Sequence, residues 1–225
     1  MTMFSRIFMH KRLCARHHLN SPMACFMLAC SLAAPVNLLA DPAGETPQQL
    51  VTKAEQAFDQ SDIVNAMRYY RQAAESGYAP AQTRLAYLLD KSEENQEAVR
   101  WYQRAVAQGD AQAMHDLANL YAIGEGTEVN IDAAVRLFES SAQQNYTPAI
   151  RVLALAYENG QLGLRVDYEQ ARAWLETGMK QGDYWSTHRL ARIYRNGELG
   201  VRVDSVKASE LEQLLPALKK TTDQP

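Results

Sequence analysis

Apolar and small residues recur at helical spacing through most of the chain. A Leu-Ala pair recurs in four aligned segments, beginning at Leu85, Leu117, Leu153 and Leu190, with steps of 32, 36 and 37 residues. A small residue lies four positions before each leucine, and a leucine or tyrosine lies four positions after it. Each copy therefore carries one apolar stripe with the period of an α-helix, and an amphipathic helix is predicted at each.

A second helix is predicted after each of these first helices. An alanine with bulky residues three and four places on marks most of them, at Ala66, Ala98, Ala134, Ala171 and Ala208. Three of the second helices end at glycines and one at Asn145, and both residue types tolerate the left-handed backbone that closes a helix. The pattern predicts an all-α protein, an α-solenoid of about five antiparallel helix pairs.

The predicted solenoid occupies residues 47–215, after a short linker at residues 41–46. Leucines at the C-terminal end are expected to cover the open end of the stack. Pro216 is expected to end or kink the last helix, leaving residues 216–225 as a frayed tail. The five units are predicted at residues 47–79, 80–111, 112–147, 148–184 and 185–215.

The last three units carry a longer loop between their two helices. Two of these loops are nearly the same, reading YENGQLGLRVDYEQA from Tyr157 and YRNGELGVRVDSVKA from Tyr194. A phosphate-binding loop would need a preceding strand and a different run of glycines, so we interpret the stretch as a structural corner.

In this interpretation every loop residue has a backbone or packing role. The glycines let the chain leave the first helix and return, and the valines Val166 and Val203 fill the gap between the helices. Asp167, Asp204 and Asn130 stand where an N-cap belongs.

The repeated units resemble those of a known protein family. The two short-loop units resemble tetratricopeptide repeats. The long-loop units resemble Sel1-like repeats, and they read AMHDLANLYAIGEG with VNIDAAVRLF, AIRVLALAYENGQLGLRVDYEQARAWL, and STHRLARIYRNGELGVRVDSVKASEL. The lysine that usually precedes the second-helix alanine is found only as Lys207. The resemblance implies a scaffold that binds a partner in a concave groove, in a family associated with envelope assembly, polysaccharide export, flagellar motors and host interaction.

Residues 1–40 differ in kind from the rest. They contain four basic residues and no acidic ones, followed by an apolar run from Met23 to Ala40, which is the layout of a secretory signal peptide. Pro35 and Asn37 interrupt this run, which argues against a membrane-spanning helix. We expect cleavage after Ala40 and export, to the periplasm of a bacterium. The alternative is an outer-membrane form with a lipid on Cys30.

Removing this leader changes the composition of the remaining chain. All three cysteines lie within it, so the mature chain would have no disulfide, thiolate metal site or cysteine nucleophile. The net charge would fall from −3 to −7, which argues against nucleic-acid binding.

Candidate chemistry is sparse in the mature chain. His115 and His188 are its two histidines, and they should lie too far apart to share a metal ion. His115 and Asp116 are neighbours on a helix, so their side chains are expected to point apart. We find no metalloprotease, hydrolase or metal-loop motif. The sequence predicts no enzyme, no metal and no cofactor.

One face of the first helices carries the predicted binding site. By analogy with tetratricopeptide repeats, positions 3, 7 and 10, counted from the leading small residue, line the groove. The candidate residues are Thr83, Tyr87, Asp90, His115, Asn119, Ala122, Arg151, Leu155, Glu158, His188, Arg192 and Arg195.

This face turns basic toward its C-terminal end. We expect Arg151, Arg192 and Arg195 to meet carboxylates of a protein, a peptide or an acidic glycan. A solvated helix face without a ligand is the plainer interpretation. A glycan- or peptidoglycan-binding module is the alternative function, although Tyr87 is the one aromatic residue among the candidates.

Overall fold

The computed structural model describes residues 44–222, with side chains described as far as Lys219. The predicted signal peptide, its cleavage site and Cys30 lie outside the described residues.

The described residues form ten α-helices joined by short connections, without a strand. Successive helices pack against each other along the whole series, first within each pair and then between one pair and the next. This confirms the predicted all-α solenoid of five helix pairs. The helices are α1 Pro47–Asp59, α2 Ile63–Glu75, α3 Ala79–Lys91, α4 Asn95–Val106, α5 Ala111–Ile123, α6 Ile131–Gln143, α7 Thr147–Asn159, α8 Tyr168–Lys180, α9 Tyr184–Asn196 and α10 Ser205–Thr222.

Local signals explain where most helices begin and end. Asp167 accepts hydrogen bonds from the first-turn amides of α8, and Asn130 does the same for α6, so both are the predicted N-caps. Asp204 likewise accepts from the Lys207 amide at 2.9 Å. Asn145 has a φ of +64°, and the glycines that follow α2, α4 and α8 also have positive φ values, as the sequence predicts for helix ends.

The core lies between the two helices of each pair and between neighbouring pairs. Its alanines are at most 2% exposed, which lets helices approach closely, and leucines of the recurring Leu-Ala pairs fill the space between them. One bulky residue of each second helix, four positions after the marker alanine in the first four units and three in the last, completes the packing. These residues are Tyr70, Tyr102, Phe138, Leu175 and Leu211.

The corner glycines serve contacts between units as well as turns. A Cβ at Gly126 would lie 2.4 Å from the carbonyl carbon of Asn95, at the start of α4 in the preceding unit. At the equivalent place in the next two units, a Cβ at Gly163 would lie 3.6 Å from Ile131 Cγ2, and a Cβ at Gly200 would lie 4.0 Å from Tyr168 Cδ2. Both are ordinary van der Waals distances. The repeated corner is thus a docking point onto the previous unit.

The predicted role of the corner valines is wrong. Val166 is 52% exposed and Val203 is 64% exposed, so neither fills the gap between the helices. Leu162 and Leu199, two residues after the helix-ending glycines, are partly buried and pack against the core instead.

The C-terminal helix also differs from the prediction. α10 continues through Pro216 to Thr222, so the expected helix end at the proline is wrong. Leu211 is buried, whereas Leu214 is half-exposed. None of the helices described in residues 44–222 has the length and apolar character needed to cross a bilayer.

Candidate partner-binding surface

The predicted site residues lie on the first helices α3, α5, α7 and α9, which contact one another side by side. Arg151 of α7 bonds Asp183 at the start of α9, and Arg189 of α9 bonds Glu158 of α7. The junctions between consecutive first helices therefore decide which of the predicted residues face solvent.

Position 3 lies at these junctions. Thr83 is 2% exposed and donates its hydroxyl to the Ala79 carbonyl at 3.2 Å, so its prediction as a partner-contacting residue is wrong. His115 is mostly buried, with its ring centroid 5.5 Å from that of Tyr146. His188 alone of this set is well exposed, on a helix with no following first helix among the described residues.

His115 and Asp116 do not point apart, contrary to the sequence argument. His115 Nδ1 lies 2.7 Å from Asp116 Oδ1, and the imidazole also makes edge contacts with the rings of Tyr146 and Phe138. Asp116 also acts on the phenol of Tyr102 in α4, whose pKa is raised chiefly by burial and further by this carboxylate. This cluster is an internal polar network that ties α4 to α5.

Two of the three predicted arginines already have carboxylate partners within the chain. Arg151 donates from Nε to Asp183 Oδ2 at 3.1 Å and makes a second bond through Nη2. Arg195 donates from Nε to an oxygen of Glu212 at 2.8 Å and is likewise doubly bonded. Bidentate pairs of this kind leave little capacity for an external carboxylate.

Arg192 remains the available cation of the three. Its Nε lies 3.5 Å from Glu198 Oε1, a longer contact, and about half of its side chain is exposed. Of the basic end expected for the groove, mainly Arg192 remains available, with the exposed His188 four residues before it on α9.

Arg189, one residue beyond position 3, was missed by the sequence reasoning. It is 8% exposed and donates to both Glu158 and Glu198, which joins α7 to the corner after α9. Burial opposes its charge, but the two carboxylates outweigh that effect and raise its pKa. Glu158, predicted for the groove, is therefore engaged in an internal ion pair.

Position 7 forms the open row of this face. Tyr87 and Leu155 are each 37% exposed, and Arg192 is exposed on α9. The Lys91 ammonium lies 5.5 Å from the centre of the Tyr87 ring. Asn119, between them, is partly buried and donates its amide to the His115 carbonyl at 3.2 Å.

Position 10 contributes less open surface. The carboxylate oxygen Oδ2 of Asp90 lies 3.5 Å from Nζ of its neighbour Lys91, and Ala122 is partly buried. No group of residues suited to hold a metal ion is found in the part of the chain that the structure describes.

Comparison with known proteins supports the repeat pattern. A model of the Sel1 repeat matches more than half of the chain, and it includes the short-loop units that resemble tetratricopeptide repeats by sequence. The matched segments are residues 59–78, 79–110, 111–146, 147–183 and 186–211.

Two curated relatives share part of this pattern. The chain is 33% identical over 121 residues to an uncharacterised protein of Neisseria meningitidis serogroup B, covering 54% of this chain and 26% of that protein. It is 27% identical over 143 residues to the ERAD-associated E3 ubiquitin-protein ligase component HRD3A of Arabidopsis thaliana, covering 56% of this chain and 21% of that protein. The alignments thus span about a quarter or less of each relative.

A solved structure has the same fold. The crystal structure of a Sel1 repeat protein from Oxalobacter formigenes superposes with a TM-score of 0.67 at 27% identity, covering 78% of this chain and 73% of that one.

Proposed function

Because this chain belongs to the Sel1 repeat family, whose repeats generally bind proteins, we propose that it is a scaffold that docks one protein partner along its first helices. The repeat fold is typically non-catalytic, and the proposal assigns no reaction to this chain. The docking surface is the position-7 row, which is Tyr87, Asn119, Leu155 and Arg192.

The exposure of Leu155 and Tyr87 carries this proposal. Both are large side chains on helices whose other faces are packed, and each is 37% exposed. Tyrosine and arginine are enriched among interface hot spots, and the exposed leucine on the same row adds apolar contact area. Arg192 adds a guanidinium that can meet a partner's carboxylate.

Affinity capture from an envelope extract of the source organism tests this surface. The baits are the wild-type chain, a Leu155→Gln/Arg192→Glu double variant, and an Arg202→Glu control on the exposed corner after α9. Circular dichroism establishes that all three fold alike. We expect a protein retained by wild type and control to be lost from the double variant, with the difference reproduced by calorimetry on the purified partner.

Equal retention by all three baits would refute the docking surface. Retention on purified peptidoglycan, with no protein captured, would favour the glycan-binding alternative.

We further propose that the chain acts in a bacterial cell envelope after export. The motivation is the basic and then apolar leader that ends at Ala40. N-terminal sequencing of the fractionated protein is expected to begin at Asp41. A lipid-modified start at Cys30 would replace this proposal with an anchored form, and an intact leader in the cytoplasm would refute export.

A further inference from the structure

A small pocket lies between the first helices of units one and two, away from Leu155 and Arg192. It has a volume of about 240 Å³ and is lined by Glu55, Phe58, Asp59, Tyr70, Arg84, Tyr87 and Leu88. Pockets for small-molecule ligands usually measure about 300–1,000 Å³. This one is the size for a single side chain of a docked protein.

The walls of the pocket are aromatic and unusually open. Phe58 is 44% exposed and Tyr87 is 37% exposed. Two exposed rings in one pocket provide apolar contact for an alkyl stem and negatively charged faces for a cation.

The floor of the pocket carries a polar group. Tyr70 lines the pocket and is only 4% exposed as a whole residue, and its hydroxyl is not among the buried side-chain atoms left without a partner in the described residues. Burial raises the pKa of Tyr70, as it does for the equivalent Tyr102 of the next unit. The protonated phenol can accept a hydrogen bond from an inserted donor.

The junction between α1 and α3, where the pocket lies, differs in its charges from the junction between α7 and α9. In α9, Arg189 pairs with Glu158 of the preceding first helix. At the junction that holds the pocket, Arg84 occupies the position of this arginine and Phe58 that of the glutamate. Within the described residues Arg84 makes no ion pair with Glu55 or Asp59. Among the lining residues, one guanidinium and two carboxylates give one negative charge in excess, and the Lys91 ammonium near the Tyr87 ring lies outside this lining.

We propose that this pocket receives a single lysine or arginine side chain of the docked partner. The alkyl stem packs between the rings of Phe58 and Tyr87, and the cation meets Glu55, Asp59 and the Tyr70 hydroxyl. The proposal rests on the proposed scaffold function and names the chemistry that one of its contact points recognises.

Nuclear magnetic resonance of the full chain tests the pocket with defined probes. The probes are acetylated, amidated tripeptides Gly-X-Gly in which X is arginine, lysine, leucine or glutamate. We expect the arginine and lysine probes to shift the ring resonances of Phe58 and Tyr87 saturably, with a dissociation constant on the order of a millimolar for a single anchor. The leucine and glutamate probes are expected to bind at least about fivefold more weakly.

Charge substitutions separate recognition from a folding defect. Glu55→Gln/Asp59→Asn should weaken the arginine probe about fivefold, whereas Arg84→Gln should tighten it because a competing cation is removed. Glu210→Gln, an exposed carboxylate on α10, is the matched control and should change nothing.

Each contrary outcome overturns the proposal. Equal binding of the leucine probe would make the pocket purely apolar, tighter binding of glutamate would make it an anion site, and no shift with any probe would leave it without side-chain recognition. If capture of the partner still depends on Leu155 and Arg192 in that case, the scaffold function stands and only the pocket assignment fails. If the probes bind while capture of the partner does not depend on Leu155 and Arg192, the pocket assignment stands and the proposed docking surface fails.

Discussion

Replacing Gly126 with alanine should weaken the docking of the third unit onto the second. The residue has a φ of +67°, and an added Cβ would lie 2.4 Å from both the carbonyl carbon and the carbonyl oxygen of Asn95. It would also lie 2.7 Å from the amide nitrogen of Gln96. All three are backbone atoms, so no side-chain rotation can relieve the overlap and the corner must move away from α4.

The cost has two parts that a second glycine can separate. A non-glycine residue with left-handed φ costs about 1–2 kcal/mol. Forcing an extra carbon into a packed site costs about 1–3 kcal/mol more. Gly109 has a φ of +84° and nothing within 4 Å of its Cβ position, so Gly109→Ala carries only the first part. We therefore expect losses of about 1–2 kcal/mol for Gly109→Ala and about 2–5 kcal/mol for Gly126→Ala.

Urea unfolding followed by far-ultraviolet circular dichroism measures both variants against wild type. Repeat stability is close to a sum of unit and interface terms, so the extra loss at Gly126 reports on one interface. A lower slope against urea would show that the units no longer unfold together. Equal losses for the two variants would refute the steric argument, because the contact with Asn95 would then contribute nothing.

Two further predictions concern charges. Arg189→Ala should destabilise the protein by about 1–3 kcal/mol, which is below the usual cost of breaking a buried pair because Glu158 and Glu198 keep some solvent access. Arg195→Ala removes a more exposed ion pair and should cost under about 1 kcal/mol. Similar losses in urea unfolding would contradict that contrast. Burial alone would raise the pKa of Asp183, but bonds from an arginine and a serine hold it below its usual value. Its charge therefore stabilises the fold above an unfolded pKa of about 3.9, and this contribution is lost as pH falls through the folded pKa. Asp183→Asn should flatten the acid side of the stability profile, and an unchanged profile would exclude this role.

Much of the fold could be predicted from the sequence because its signals are local. The apolar stripe repeats within each helix, and the helix ends are determined by neighbouring residues such as Asn130 and Asn145. Even the corner glycines could be assigned to turns on this basis. Their second role, contact with the preceding unit, depends on residues about thirty positions away and could not be predicted.

The site was harder to predict for the same reason. Thr83 and His188 occupy the same position of their helices, yet one is buried and the other is exposed. The position of a residue on a helix shows whether it lies outside the apolar stripe of that helix. It does not show whether the next unit covers that residue. The pairing of Arg189 with Glu158 spans 31 residues and likewise has no local signal.

The junctions between first helices therefore combine structure and recognition at equivalent positions. Where a junction arginine finds a carboxylate from the preceding unit, as Arg189 finds Glu158, its charge is used inside the fold. Where the preceding unit offers Phe58 instead, Arg84 is left without that carboxylate partner and a pocket with exposed rings remains. A repeat protein can thus gain a binding site through one exchanged residue at a junction, without altering the glycines and alanines that build the scaffold. Residues that differ between units at equivalent positions are therefore better targets for mutagenesis than the corner loops that recur.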